Sequence, residues 1–330
     1  MAKILRNIDQ IIDTQGNDLT APVLSFRNKF INGNMQINQR GNGTASAGTF
    51  TYTTDRWYIY CVGAGCSYSQ VDTSTGKALE VIPDLGTTNQ IIAQKIENVN
   101  CFNLAEQTVT ISGKVYIDDA TGVTFNTNIY SASSTNASYG STRTFSSNLT
   151  SGEYTYFSEQ VTLPADAKNG VEVDFSFLNA GDRTIRVTDL QFEEGTVPTP
   201  FEHRPLSIEL ALCQRYYQKS YDIETVPGTD VTASYIGLHT GNGVTDTATN
   251  QNVPFTIHVN PTMRTQPTFY YYSLEGTLNR YNTFTAGAMT RSETATTLGG
   301  FWRGVNTISG YTAPGGGQSY GFCYVLTAEL

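Results

Sequence analysis

The chain has 330 residues, a formal net charge of −9 and a pI near 4.8, and only 15% of its residues are charged. That length allows two domains with sizeable cores, while 20 scattered Lys and Arg without a basic run argue against a partner held through nucleic-acid phosphates. No stretch approaches 18 consecutive apolar residues, so no membrane insertion is expected.

Residues 1–28 read as an arm. Ile4, Leu5, Ile8, Ile11 and Ile12 form one apolar stripe of a short amphipathic helix. The run Gln15-Gly16-Asn17-Asp18 stops it, and Pro22 follows. Such a helix is marginal alone, so it is expected to dock, either on this chain's own sandwich or on sister chains or another protein during assembly. It has no apolar core of useful length before Asp9, so no secretory signal is read and synthesis in a cytoplasm is expected.

Residues 29–202 hold strand-like runs separated by Gly, Asn and Ser clusters: 49–62, 78–82, 89–97, 107–117, 124–131, 153–163, 171–178 and 184–193. Eight or nine strands without a long helix predict an all-β jelly-roll β-sandwich. Val109, Ile111, Val115 and Ile117 alternate with Thr110, Ser112, Lys114 and Tyr116, as one buried face requires. Val171, Val173, Phe175 and Phe177 alternate in the same way with Glu172, Asp174 and Ser176. Trp57 and Ile59 share a core face, which puts Tyr58 and Tyr60 on the other.

Pro198, Pro200 and Pro205 keep the next segment extended. Residues 203–220 are predicted to form this linker and a short helix, with Ser207 as its cap and Ile208, Leu212 and Tyr216 as its stripe. Residues 221–330 form a second, smaller β-sandwich. Phe255, Ile257 and Val259 alternate with polar residues, Tyr320, Phe322 and Tyr324 share a face, and residues 286–300 and 312–319 read as loops. The five cysteines (Cys61, Cys66, Cys101, Cys213, Cys323) contain no CxxC and are expected as buried thiols, a Cys61–Cys66 hairpin disulfide being the alternative.

Catalytic chemistry finds little support. Glu193 and Glu194 are strand neighbours and face opposite sides, Asp118-Asp119 reads as turn chemistry, and no G-x-S-x-G elbow occurs. The chain is therefore expected not to be an enzyme. Sugar binding uses aromatic faces plus amides and charged groups that reach hydroxyls, and the chain has 20 Tyr. Tyr271, Tyr281, Trp302, Arg303 and Tyr311, in and beside loops of the second unit, are the candidate ligand-binding residues.

The segment LQFEEGTVPTPFEHRPLSIELALCQRYYQKSY, residues 190–221, and PFTIHVNPTMRTQPTF, residues 254–269, resemble bacteriophage tail-fibre and related virion structural proteins with a carbohydrate-binding-module-like domain. KFINGNMQINQRG, YTTDRWYIY and QKIENVNCFNLAEQTVTISGKVY are similar to that family's earlier strands, and the closing YVLTAEL to its ending. The resemblance implies a virion component assembled as a homotrimer around Ile208, Leu212 and Tyr216, attached to other virion proteins through the arm. It recognises a host cell-surface glycan or, alternatively, serves a purely structural role; a sugar-degrading spike is a third reading. It implies no cofactor beyond a structural calcium near Asp189 and Glu193, with carbonyls around Asn32 and Gly33 as further oxygen ligands.

Overall fold

The computed structural model describes residues 26–241, 253–285, 288–290, 299–302, 307–312 and 319–330. Its first part has twelve strands: β1 (Gly43–Ala45), β2 (Thr51–Tyr52), β3 (Tyr58–Val62), β4 (Cys66–Thr73), β5 (Gly76–Pro83), β6 (Asn89–Glu97), β7 (Thr108–Ile117), β8 (Thr124–Ser134), β9 (Ala137–Ser147), β10 (Tyr154–Thr162), β11 (Gly170–Leu178) and β12 (Ile185–Glu194). They make two six-stranded antiparallel sheets, ordered β1-β4-β5-β12-β7-β10 and β2-β3-β6-β11-β8-β9. This is the predicted jelly-roll sandwich.

Side-chain alternation decides which faces meet. Val109, Ile111, Val115 and Ile117 from one sheet and Val171, Val173, Phe175 and Phe177 from the other are all fully buried. Aromatic rings fill the centre, with Phe30 5.1 Å from Trp57 and Phe125 5.0 Å from Phe177. Each buried ring contributes roughly 1.5–3 kcal/mol through the apolar area it removes from water. The Trp57 indole N–H donates to the Asn32 carbonyl at 2.9 Å, so the one polar atom of that ring is satisfied inside the core.

The expected strand over residues 49–62 is interrupted. Arg56 takes φ 72°, and Thr53 N–H closes a tight turn on the Trp57 carbonyl at 2.8 Å. Strands β4 and β9 carry no apolar alternation and went unpredicted, because both present mostly exposed or half-exposed side chains.

Residues 26–37 run along the sandwich rather than away from it. Phe26, Arg27 and Asn28 donate backbone N–H groups to Glu202, and the Asn28 side chain bridges Leu190 and Phe192. Gly33 lies so close to β12 that a Cβ there would come within 2.2 Å of the Leu190 carbonyl, which only glycine permits.

A short helix α1 (Asn98–Cys101) follows β6, and α2 (Leu206–Gln214) follows the Pro-rich linker. Pro205 is the N-cap of α2 and makes no side-chain bond, so the capping role expected of Ser207 is not found: the Pro205 carbonyl accepts from Ile208 and Glu209 directly. The helix also ends before Tyr216. That residue drops out of the expected stripe and is buried among Ile31, Ile37 and Cys213, its hydroxyl on Glu97. Of the three candidate oligomer residues, Tyr216 is therefore core, while Ile208 is exposed and Leu212 half-buried.

The second unit contains β13 (Tyr217–Lys219), β14 (His239–Gly241), β15 (Val253–His258), β16 (Thr268–Tyr272), β17 (Asn282–Thr285), β18 (Ala288–Thr290), β19 (Gly299–Trp302), β20 (Thr307–Thr312) and β21 (Ser319–Thr327). β21 is the hub, pairing with β13, β14, β16 and β17, while β15, β20 and β19 form a separate sheet. Ile257, Val259, Tyr271, Phe322 and Leu326 pack between them. The architecture is all-β with a jelly roll, a short linker helix and a smaller sandwich, as the sequence predicts.

Candidate functional site

The outer face of the β2-β3-β6-β11-β8-β9 sheet carries an ordered set of aromatic and polar side chains. Because Ile59, Phe175 and Ile129 point into the core, their strand neighbours must point out. Pairing sets these outward residues in rows. One row runs Tyr52, Tyr58, Ala93, Asp174, Asn128 and Thr144; the next runs Tyr60, Ile91, Ser176, Asn126 and Ser146; a third runs Lys95, Glu172, Tyr130 and Ser141.

The rows differ in height across the sheet. Phe50 is 66% exposed and packs on Tyr60 at 4.6 Å and Tyr58 at 5.5 Å, building an aromatic ridge along one side. Beyond it lies the small Ala93, then Asp174 and Ser176, which are 4% and 3% exposed although they stand on an outer face. Low exposure at outward positions marks the floor of a groove. Asn126, Asn128 and Tyr130 continue that floor, and exposed Ser and Thr of β9 close it.

The floor is hydrogen-bonded throughout. Asn128 donates to both Asp174 and Ser176, and the Tyr58 hydroxyl donates to Glu172, with Lys95 4.0 Å from the same carboxylate. Burial pushes Asp174 up to about 6, the bonds from Asn128 and Tyr130 holding it from going higher. Burial, then the neighbouring Glu172, pushes the Tyr58 phenol far above its ordinary value. The face thus offers a ring edge and face on one side and a mixed set of donors and acceptors beside it. That is the chemistry a pyranose needs: its C–H face covers a ring while its hydroxyls pair with fixed amides and carboxylates. Glu172 and Asp174 rise from the same face of one strand.

The residues singled out from sequence lie elsewhere. Tyr271 and Tyr281 are 7% and 1% exposed and belong to the core of the second sandwich, which corrects their assignment as ligand-facing. Alternation in β16 turns Tyr270 outward instead. The backbone of Trp302 lies in β19 opposite Ile308, and that of Tyr311 in β20 opposite Pro254 and Gly299. Arg303 and the arm residues Ile4, Leu5, Ile8, Ile11 and Ile12 lie outside the described residues. The groove residues were visible only as the polar half of alternating strands. The parity that buries Trp57 and Phe175 is the signal that finds Tyr58, Tyr60 and Asp174, whereas nothing local marks Phe50.

The region proposed for calcium does not fit one. Asp189 is bound by the Lys114 ammonium at 2.8 Å. Glu193 accepts from Thr199 N–H, the Thr199 hydroxyl and Gln191, with Arg27 at 3.6 Å. The Asn32 and Gly33 carbonyls already accept from Trp57 and Leu190. Among the described residues no group of three or more His, Cys, Asp or Glu is placed to hold a metal. An organic cation sits nearby instead: the Arg204 guanidinium, 7% exposed, donates to the carbonyls of Asn28 and Phe30 and to Glu202 and Glu209. All five cysteines are free and buried.

No family model and no curated protein matches the chain. Solved structures similar to it include the enzymatically active domain of tailspike protein 4 of bacteriophage CBA120, at 13% identity and TM-score 0.35 over 51% of this chain and 22% of that one. The CBM22-1 xylan-binding domain of Paenibacillus barcinonensis Xyn10C is similar at 11% identity and TM-score 0.34, over 48% of this chain and 99% of that domain. A CBM4 structure is similar at 21% identity and TM-score 0.32, over 50% and 98%. The chain thus spans about a fifth of the tailspike domain and nearly all of each binding module. Similarity at this level leaves function to be read from this chain's own residues.

Proposed function

We propose that this chain is a non-catalytic virion component of a bacteriophage, a tail fibre or appendage that recognises a host-surface glycan through its jelly roll. The observation that carries the reading is the groove: an exposed aromatic ridge of Phe50 and Tyr60 set beside a floor of Asp174, Ser176, Asn126 and Asn128. The outward rows cross five strands of the sheet, an extent that suits a stretch of polysaccharide better than a single sugar.

A glycan microarray probed with the full chain and with Phe50→Ala tests the binding reading. Retention of polysaccharides by the wild-type chain and its loss in the variant support it; equal retention, or none, sinks it. Gold label on a tag at Leu330 tests position on the particle. Label at free appendage tips supports receptor recognition, whereas label over the head or neck leaves a structural protein.

One observation favours that structural alternative. Phe26, Ile208, Ala211, Leu212 and Pro261 line an apolar groove of about 520 Å³ along α2. Its occupant would be a second copy of this chain, as in the expected homotrimer, because α2 leaves Ile208 exposed and Leu212 only half-buried along this groove. Light scattering on the full chain and on Ile208→Glu decides: a trimer that dissociates in the variant supports it, and a wild-type monomer ends it.

A further inference from the structure

The jelly roll has a second outer face, on the sheet ordered β1-β4-β5-β12-β7-β10, and it carries a separate cleft. Ser112 and Lys114 of β7, Tyr156 of β10 and Asp189 of β12 form one side; Pro198, Thr199, Pro200 and Phe201 of the linker form the other. Its volume is about 340 Å³, at the lower end of pockets that hold small molecules.

Several features show a built cleft rather than a gap. The linker wall is pinned: Thr199 N–H and its hydroxyl bind Glu193, Gln191 binds the Thr199 carbonyl, and Glu202 N–H binds Gln191. Pro198 and Pro200 stiffen it further. On the opposite wall β12 bulges between Thr188 and Gln191, and Asp189 sits there at φ 52°, a conformation that L-residues adopt at a cost. The bulge re-aims Asp189 onto Lys114, 2.8 Å away.

Beside the pair stand three tyrosines that the core does not use. Tyr156 is 56% exposed and directly opposite Lys114 in the register, and Tyr154 is 38% exposed and packs on Tyr116 at 5.5 Å. Arg186 lies over the Tyr116 ring at 4.8 Å and is held there by Glu80 at 2.7 Å, so this aromatic cluster is fixed from behind.

We propose that this cleft is a second saccharide site, distinct from the groove, which takes the end of a chain or a short neutral sugar. The chemistry selects the ligand. An ammonium has three donors and a carboxylate only acceptors, so a Lys–Asp pair side by side matches two vicinal hydroxyls, one accepting from Lys114 and the other donating to Asp189. The pair is neutral overall on a chain of net charge −9, which disfavours uronates and other acidic sugars. The exposed Tyr156 ring supplies the stacking surface. The small volume limits occupancy to one or two rings. This site does not depend on the groove reading, since the two lie on opposite faces of the sandwich.

Saturation-transfer NMR on the full chain tests it, with methyl β-xylopyranoside, methyl α-mannopyranoside, methyl β-galactopyranoside and galacturonate as probes. Tyr156 is largely solvent-exposed, so Tyr156→Ala retains the fold, checked by an unchanged melting temperature. At least one neutral glycoside is expected to bind, to weaken about tenfold in Tyr156→Ala and in Lys114→Met, and to be unaffected by Phe50→Ala. No binding of any neutral probe, binding indifferent to Tyr156→Ala, or preference for galacturonate overturns the proposal. Loss in Phe50→Ala with Tyr156→Ala unaffected would assign the sugar to the groove alone.

Discussion

The Arg56 guanidinium lies over the ring of Tyr216, 3.5 Å from its centroid, and binds the Glu329 carboxylate. Three distant parts of the chain meet there: the β2–β3 turn of the jelly roll, the second residue past α2 and the end of the second sandwich. Arg40 doubles the junction, over Tyr217 at 3.8 Å and bound to Glu329 at 2.8 Å. Arg56 is 1% exposed. Removing it leaves Glu329 to Arg40 alone and takes away one buried charge-assisted bond, which costs about 1.5–3 kcal/mol. Arg56→Met is therefore expected to lower the urea midpoint sharply, and a variant within about 0.5 kcal/mol of wild type would show that the junction contributes little.

Arg204 is expected to behave as the internal cation of the linker. Arg204→Met leaves the buried carboxylates of Glu202 and Glu209 without their shared cation and the backbone carbonyls of Asn28 and Phe30 without the guanidinium donor. A loss of about 3–5 kcal/mol is expected. The wild-type melting temperature should not move on adding EDTA or calcium, because the oxygens of this region are already satisfied by protein donors. A calcium-dependent rise in melting temperature contradicts the argument.

Asp174 should impose a pH dependence. Its folded value, about 6, lies above the 3.8 of a free aspartate. The folded state therefore holds its proton more tightly, and the associated stability is full below about pH 4 and is lost as pH rises through 6. At about 1.4 kcal/mol per unit the swing is on the order of 3 kcal/mol. Urea unfolding of Asp174→Asn, compared with wild type at pH 5 and 7.5, should show a smaller difference between the two pH values. An unchanged pH profile removes Asp174 from the account.

Phe50 separates binding from folding. Being 66% exposed, it can be cut back to Ala with a stability change within about 0.5 kcal/mol. Loss of its stacking face is expected to weaken oligosaccharide binding about tenfold, read by calorimetry. Equal affinity in the variant removes Phe50 from the site.

The jelly roll was legible because its core strands state their parity plainly: Val109 to Ile117 and Val171 to Phe177 alternate cleanly, and Trp57 is fully buried as predicted. β9 was not legible, since Ala137–Ser147 is an edge strand with little to bury. The site was half legible. The outward parity of Tyr58 and Tyr60 could be read, but the depth of Asp174 could not, because it follows from which strands lie beside β11. Tyr271 and Tyr281 were misread for the same reason: loop proximity says nothing about which rings the second core takes in. Arg204 was hidden because its partners on the backbone of Asn28 and Phe30 are more than 170 residues away.

The hub position of β21 has a consequence for the order of synthesis. By Glu194 every strand of the jelly roll has been made, so that unit can close while the rest of the chain is still on the ribosome. β13, β14, β16 and β17 emerge earlier than the strand they all pair with, and must wait for Ser319–Thr327. A nascent chain halted before that point carries one finished body and a set of open strand edges, a ready substrate for chaperones and proteases. The Glu329 contacts with Arg40 and Arg56 form last, so they report that translation has passed the hub.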